Sequence, residues 1–99
     1  MLLEIEILDL RVIESGKSLK AFADVRLGDI VIRDFRIVKE NGKRPHVKVP
    51  FSTYKDQEGR IKFRPILILP DKLRGEIDLA ILNAYSHWEK EQSNGRPNP

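Results

Sequence analysis

Four cations carry the chemistry most open to interpretation in this chain: Lys62, Arg64, Lys72 and Arg74. Lys62 and Arg64 lie two apart in a stretch from Ile61 to Leu69 that reads as a strand, so their side chains point the same way. Lys72 and Arg74 fall where a helix should begin. Free backbone N–H groups and the positive end of the helix dipole favour phosphate there. Arg can grip a phosphate or a guanine edge through two hydrogen bonds, which Lys cannot. Lys43, Arg44, Lys48, Lys55 and Arg60 extend the set as phosphate contacts that raise affinity without reading sequence. The competing reading of the same charges is a solvated, solubilising face.

The distribution of charge sharpens that choice. The 99 residues carry a formal net charge of +3. Residues 1–40 hold seven Lys/Arg against eight Asp/Glu, and residues 76–99 hold two against four. Residues 41–75 hold nine against three, so this third carries the positive excess. A concentrated basic region is the electrostatic footprint of a polyanion binder.

Other chemistries find little to build on. His46 and His87 are far apart and in no metal-ligand spacing. There is no cysteine, hence no disulfide and no thiolate metal site. No Gly-rich phosphate loop, nucleophile motif or Ser-His-Asp order is present. Asp56 and Glu58, beside Lys55 and Arg60, read more simply as a turn than as an acid/base couple. The expectation is therefore no catalytic residue, no metal, no cofactor and no small-molecule substrate. Among the aromatics, Phe51 and Phe63 read as core, and Tyr54, in a polar stretch, is the one candidate to stack on a base.

Several elements must position these residues. Ninety-nine residues suit one domain, here 1–92, with Ser93 to Pro99 as a disordered tail. Leu3, Ile5 and Ile7 alternate, then Leu8, Leu10 and Val12 continue on the other parity, which is what a β-bulge produces. Leu19, Ala21, Ala23, Val25 and Leu27 alternate cleanly, giving a strand with one core face. Gly28-Asp29 fits a tight hairpin loop with Gly first. Ile30 and Ile32 give way to Phe35 and Ile37, so a second bulge is expected near Arg33-Asp34. Asn41-Gly42 is a two-residue hairpin signal. His46 to Val49 is a short strand that Pro45 and Pro50 confine to an edge. Ser52 to Gly59 reads as a loop, and Ile61 to Leu69 as a fifth strand interrupted by Pro65.

Pro70-Asp71 opens the helix, with Asp71 as the expected N-cap. Leu73, Ile77, Ala80, Ile81, Ala84 and Trp88 form its apolar stripe. Gly75 is there for close packing or backbone approach. Leu79 and Leu82 fall on the opposite side, either as ordinary exposed leucines or as contacts to a partner. Arg33, Asp34 and Arg36 read as structural, a cross-strand ion pair or a dimer contact, because a carboxylate between them repels phosphate. No apolar run is long enough to span a membrane. The N-terminus lacks the basic start of a signal peptide, so a cytoplasmic location is expected.

Short segments in order resemble the SpoVG (stage V sporulation protein G) family of small bacterial regulators. They are Asp9-Leu10-Arg11, Gly16-Lys17, Leu19-Lys20-Ala21, then the block Ile32-Arg33-Asp34-Phe35-Arg36-Ile37-Val38. Val47, Val49-Pro50, Ser52, Gly59, Phe63-Arg64, Arg74-Gly75 and Leu82-Asn83-Ala84-Tyr85 follow. Together they cover Ile5 to Tyr85. The chain departs from the family pattern in three places, one being a fourth strand made more basic than usual by Arg44, His46 and Lys48. Phe51 separates Pro50 from Ser52, where the family has a Met-Pro-Ser step. Pro65 to Pro70 replaces an Asp-Ile-x-His-Pro run and is one residue shorter.

The resemblance implies an α+β fold: an antiparallel β-meander sheet of about five strands with a C-terminal α-helix, forming a homodimer. It also implies a nucleic-acid-binding regulator of DNA, and for some members RNA, linked to sporulation or division-septum control. The alternative is a dimeric protein-interaction module that regulates through a protein partner, using a free strand edge or the Leu79/Leu82 face.

Overall fold

The computed structural model describes residues 4–13 and 16–94, so most of the expected tail lies outside the described residues. The element order is β1 (Ile5–Val12), β2 (Leu19–Leu27), β3 (Ile30–Val38), β4 (His46–Lys48), β5 (Phe51–Lys55), β6 (Ile61–Pro65) and α1 (Asp71–Asn94). Strands β1 to β4 form one antiparallel meander, and β5 and β6 form a separate hairpin. This is an α+β fold, but the expected single sheet of about five strands is two sheets, of four and two strands. The chain leaves the first sheet at Val49-Pro50. Pro50 has no N–H to offer a ladder, so pairing with β3 cannot run on through it.

Both expected bulges are present. The β1–β2 register shifts between Ile7 and Asp9. The β2–β3 register shifts where Asp24 faces Arg33 and Asp34, and Asp34 takes φ 68°. Left-handed backbone at a non-glycine residue is uncommon, and Asp is among the side chains that tolerate it best. The Gly28-Asp29 loop joins Leu27 to its partner Ile30, with Gly28 at φ 59°. Asn41-Gly42 is a turn but not a two-residue hairpin loop. It is the centre of a turn in which the Lys43 amide donates to the Glu40 carbonyl at 3.0 Å, inside a longer connection from β3 to β4.

The core lies between the inner face of the meander and α1. Ala21, Ala23, Val25, Phe35 and Ile37 from the sheet meet Ile77, Ile81 and Tyr85 from the helix. The small side chains of Ala21 and Ala23 leave room for the helix isoleucines. Leu73, Trp88 and also Leu82 pack partly against this cluster, so Leu82 belongs to the core margin, while Leu79 is exposed. Tyr85 and Trp88 stack with ring centres 6.0 Å apart.

The start of α1 differs in detail from the expectation. The Pro70 carbonyl accepts from the Arg74 amide at 2.8 Å, which puts Pro70 at the cap position and Asp71 in the first turn. Asp71 still favours the dipole from there. The helix also runs through Ser93 and Asn94, past the expected boundary. No helix among the described residues is long and apolar enough to cross a membrane.

Gly75 is exposed, and a Cβ built on it would meet nothing within 4 Å. Close packing therefore does not explain it. Gly75→Ala is expected to raise stability by up to about 1 kcal/mol, by restricting the unfolded chain and improving helix propensity. Urea unfolding measures this, and an unchanged or lower midpoint would contradict it.

Candidate nucleic-acid interface

Strands β5 and β6 build a projecting hairpin. They share no ladder with the meander among the described residues. Pairing of Ser52 with Arg64, and of Tyr54 with Lys62, puts these four on one face. Phe51, Thr53, Lys55, Ile61, Phe63 and Pro65 take the other face. The expected Ser52 to Gly59 loop is thus a strand and a turn. Its polarity belongs to an exposed strand, and the turn is closed by Asp56. The Asp56 carboxylate accepts from the amides of Glu58 and Arg60, each at 2.9 Å. The expected strand from Ile61 to Leu69 ends at Pro65.

Phe63 is 66% exposed, contrary to its expected place in the core. It meets Phe51 edge to face at 5.2 Å. The two rings, with Lys48, Val49, Pro65 and Arg74, line a cleft of about 280 Å³ between the hairpin and the helix start. The cleft joins aromatic surface to two of the expected cations. Lys62 and Arg64 point to the opposite face of the hairpin, so the expected convergence of the two basic pairs is partial.

The nine candidates divide by their partners. Lys43 pairs with Glu40 at 3.0 Å. Arg60 pairs with Asp56 at 3.1 Å and with Glu58 at 2.7 Å. Arg74 donates to Asp78 at 2.9 Å and to the Val47 carbonyl at 2.6 Å, tying α1 to β4. Its role is therefore at least partly architectural. Arg44, Lys48, Lys55, Lys62, Arg64 and Lys72 are exposed and meet no carboxylate among the described residues. These six present charge that a phosphate could neutralise without first displacing a carboxylate.

The ion pair expected around Arg33-Asp34-Arg36 exists, but its cation is Arg11. Arg11 Nη1 donates to Asp9 at 2.7 Å and to Asp24 at 3.0 Å, and Nη2 donates to Asp34 at 2.9 Å. The Asp34 amide donates to Asp24 Oδ1 at 3.1 Å, which fastens the left-handed bulge. Arg36 has a different task. Its guanidinium lies 4.0 Å from the centre of the Phe51 ring and 5.3 Å from that of Phe22. This stacking joins the hairpin to the outer face of the meander.

The hydrogen bonds from Arg11, reinforced by the Asp34 amide and by Arg11's charge, hold the Asp24 carboxyl below its usual 3.8 despite an opposing effect of burial. A carboxyl with a lowered folded-state pKa stabilises the fold above its unfolded pKa. That contribution disappears as pH falls through the folded value. Asp24→Asn is therefore expected to cost about 1–3 kcal/mol at neutral pH. It should cost much less at pH values below the folded pKa. Urea titrations at both pH values test this, and an equal loss at both would contradict it.

No protein-family model matches the chain, and no curated protein matches it.

Proposed function

We propose that this chain is a small nucleic-acid-binding regulator of the SpoVG type, acting as a homodimer on DNA or RNA. The observation that carries the reading is the set of six cations that meet no carboxylate among the described residues, four of them on or beside the projecting hairpin. Lys48, Lys55, Lys62 and Arg64 supply charge there, and Tyr54 and Phe63 supply exposed rings. Phosphate contacts set affinity, and rings stack on unpaired bases with little regard to sequence. The link to sporulation or septum control comes from the resemblance alone.

Fluorescence anisotropy against duplex DNA, single-stranded DNA and RNA tests the reading. Six contacts to duplex phosphates predict that log K falls against log salt with a slope of about −5. Absence of binding to all three at low salt would overturn it.

A protein-interaction module is the second reading. The exposed apolar side chains Ile61, Phe63, Ile66 and Ile68 favour it. Complexes that survive nuclease and moderate salt would support this reading over the first.

A further inference from the structure

A second set of cations lies outside the basic segment between residues 41 and 75. Lys17, Lys20 and Lys39 line a hollow of about 210 Å³ where β2 begins and β3 ends, with Ser18, Glu40 and Asn41 completing its wall. Apart from Gly16, every lining residue is polar or charged. Three ammonium groups against one carboxylate leave an excess of two positive charges. The Glu40 carboxylate is itself held by Lys43 at 3.0 Å, while Lys20 and Lys39 meet no carboxylate among the described residues. The backbone that carries these lysines is fastened on both sides. The Lys39 amide donates to the Ser18 carbonyl and the Ile13 amide to the Lys20 carbonyl, both at 2.8 Å. Lys20 is also the extra residue of a further bulge: Leu19 pairs with Val38 and Ala21 with Ile37, so two steps on β2 match one on β3. A bulge re-aims a side chain out of the regular alternation, and here it does so at a lysine of the hollow.

We infer that this hollow binds a diphosphate group, either as inorganic pyrophosphate or at the end of a nucleotide whose organic part stays outside. Charge selects a multiply charged anion. Like charges gathered on one concave surface repel one another, and a diphosphate group, with roughly two to three negative charges at neutral pH, offsets the excess. Lysine ammonium groups hold phosphoryl oxygens as point charges and do not demand one orientation. The Ser18 hydroxyl and the Asn41 amide add neutral donors. Size narrows the class. The hollow equals about seven water molecules' share of liquid, which accommodates two joined phosphoryl groups but not a nucleobase beside them. The lining also carries no aromatic or apolar side chain on which a base could stack. The hollow is thus chemically unlike the hairpin, which joins cations to exposed rings, and needs no nucleic acid to be occupied.

Isothermal titration calorimetry of the full chain with inorganic pyrophosphate, in buffer free of divalent cations, tests the inference. Saturable binding is expected, with a melting temperature that rises as pyrophosphate is added. Lys20→Gln and Lys39→Gln should each weaken binding on the order of 10-fold. Glu40→Gln removes the carboxylate from the wall and should tighten binding roughly threefold. Lys62→Gln combined with Arg64→Gln is the control, since neither residue lines the hollow, and it should bind pyrophosphate like the wild type. Adenosine diphosphate distinguishes the two sources: affinity equal to that of pyrophosphate assigns the site to any terminal diphosphate, and much weaker affinity assigns it to the free anion.

No heat and no shift in melting temperature at millimolar pyrophosphate would overturn the inference. So would equal losses from the hairpin pair and from the Lys20 and Lys39 variants, because binding would then follow net charge alone. A Glu40→Gln affinity no higher than that of the wild type would also overturn it. None of these results bears on the hairpin's affinity for nucleic acid, which the anisotropy titrations read separately.

Discussion

Lys62→Ala combined with Arg64→Ala is expected to lower affinity for duplex DNA on the order of 50-fold at about 0.1 M salt. Each lost phosphate contact removes about 0.9 from the magnitude of the salt slope, so the slope should become shallower by about 2. Both side chains are exposed on the polar face of the hairpin, opposite Phe63, so the fold should keep its stability within about 0.5 kcal/mol. Lys43→Ala combined with Arg60→Ala removes the same formal charge from cations already held by Glu40, Asp56 and Glu58. That pair should change the slope less. Anisotropy titrations at several salt concentrations separate the two. Equal effects from both double variants would mean that net charge alone governs binding and that the hairpin face is not an interface.

Phe35→Ala carries the largest expected effect on stability, about 3–5 kcal/mol. Phe35 is fully buried at the centre of the meander and faces Ala23 across the β2–β3 ladder. It is also the first residue after the left-handed Asp34. The bulge sets the parity that turns Phe35 inward, so core packing and the Arg11 network depend on the same irregularity. A domain of this size is expected to have a total stability of about 5–15 kcal/mol, and such a loss would leave a large unfolded fraction in the weaker part of that range. Chemical denaturation gives the value. A loss below about 1 kcal/mol would show that the cluster collapses around the gap or that Phe35 is not central to it.

What could be read from the sequence follows from burial. Strands β1 to β3, with both bulges, were legible because one face is core. A parity switch such as Ile7 to Leu10, with Leu8 left exposed at the bulge, or Ile32 to Phe35, then leaves a mark in the pattern. The stripe of α1 was legible for the same reason. Strand β5 was not, because neither face of the β5–β6 hairpin is deeply buried and Ser52 to Lys55 show no alternation of apolar and polar residues; β6 was legible as far as Pro65. Phe63 misled in the opposite sense, since its type suggests core while its position is an exposed face. Of the candidate site, the basic segment itself was visible, but the sorting of its cations was not. Arg74 spends a hydrogen bond on a backbone carbonyl 27 residues away, which has no sequence signature. Arg11 meets Asp34 across 23 residues, where the local pattern pointed to Arg33 and Arg36 instead.

The end of the hairpin has a practical side. Its turn is closed from within: the Asp56 amide donates to the Arg60 carbonyl at 2.9 Å, and the Asp56 carboxylate satisfies two further amides and the Arg60 side chain. Nothing in the meander or the helix is needed to hold that geometry. Gly59, at φ 79° with open space around it, completes the reversal. Such a tip suits the grafting of an epitope or a fluorophore-bearing loop, since chain added at an exposed, locally closed turn disturbs neither the core nor its register. The strands beneath it would then act as a stalk that reports on whatever the hairpin touches.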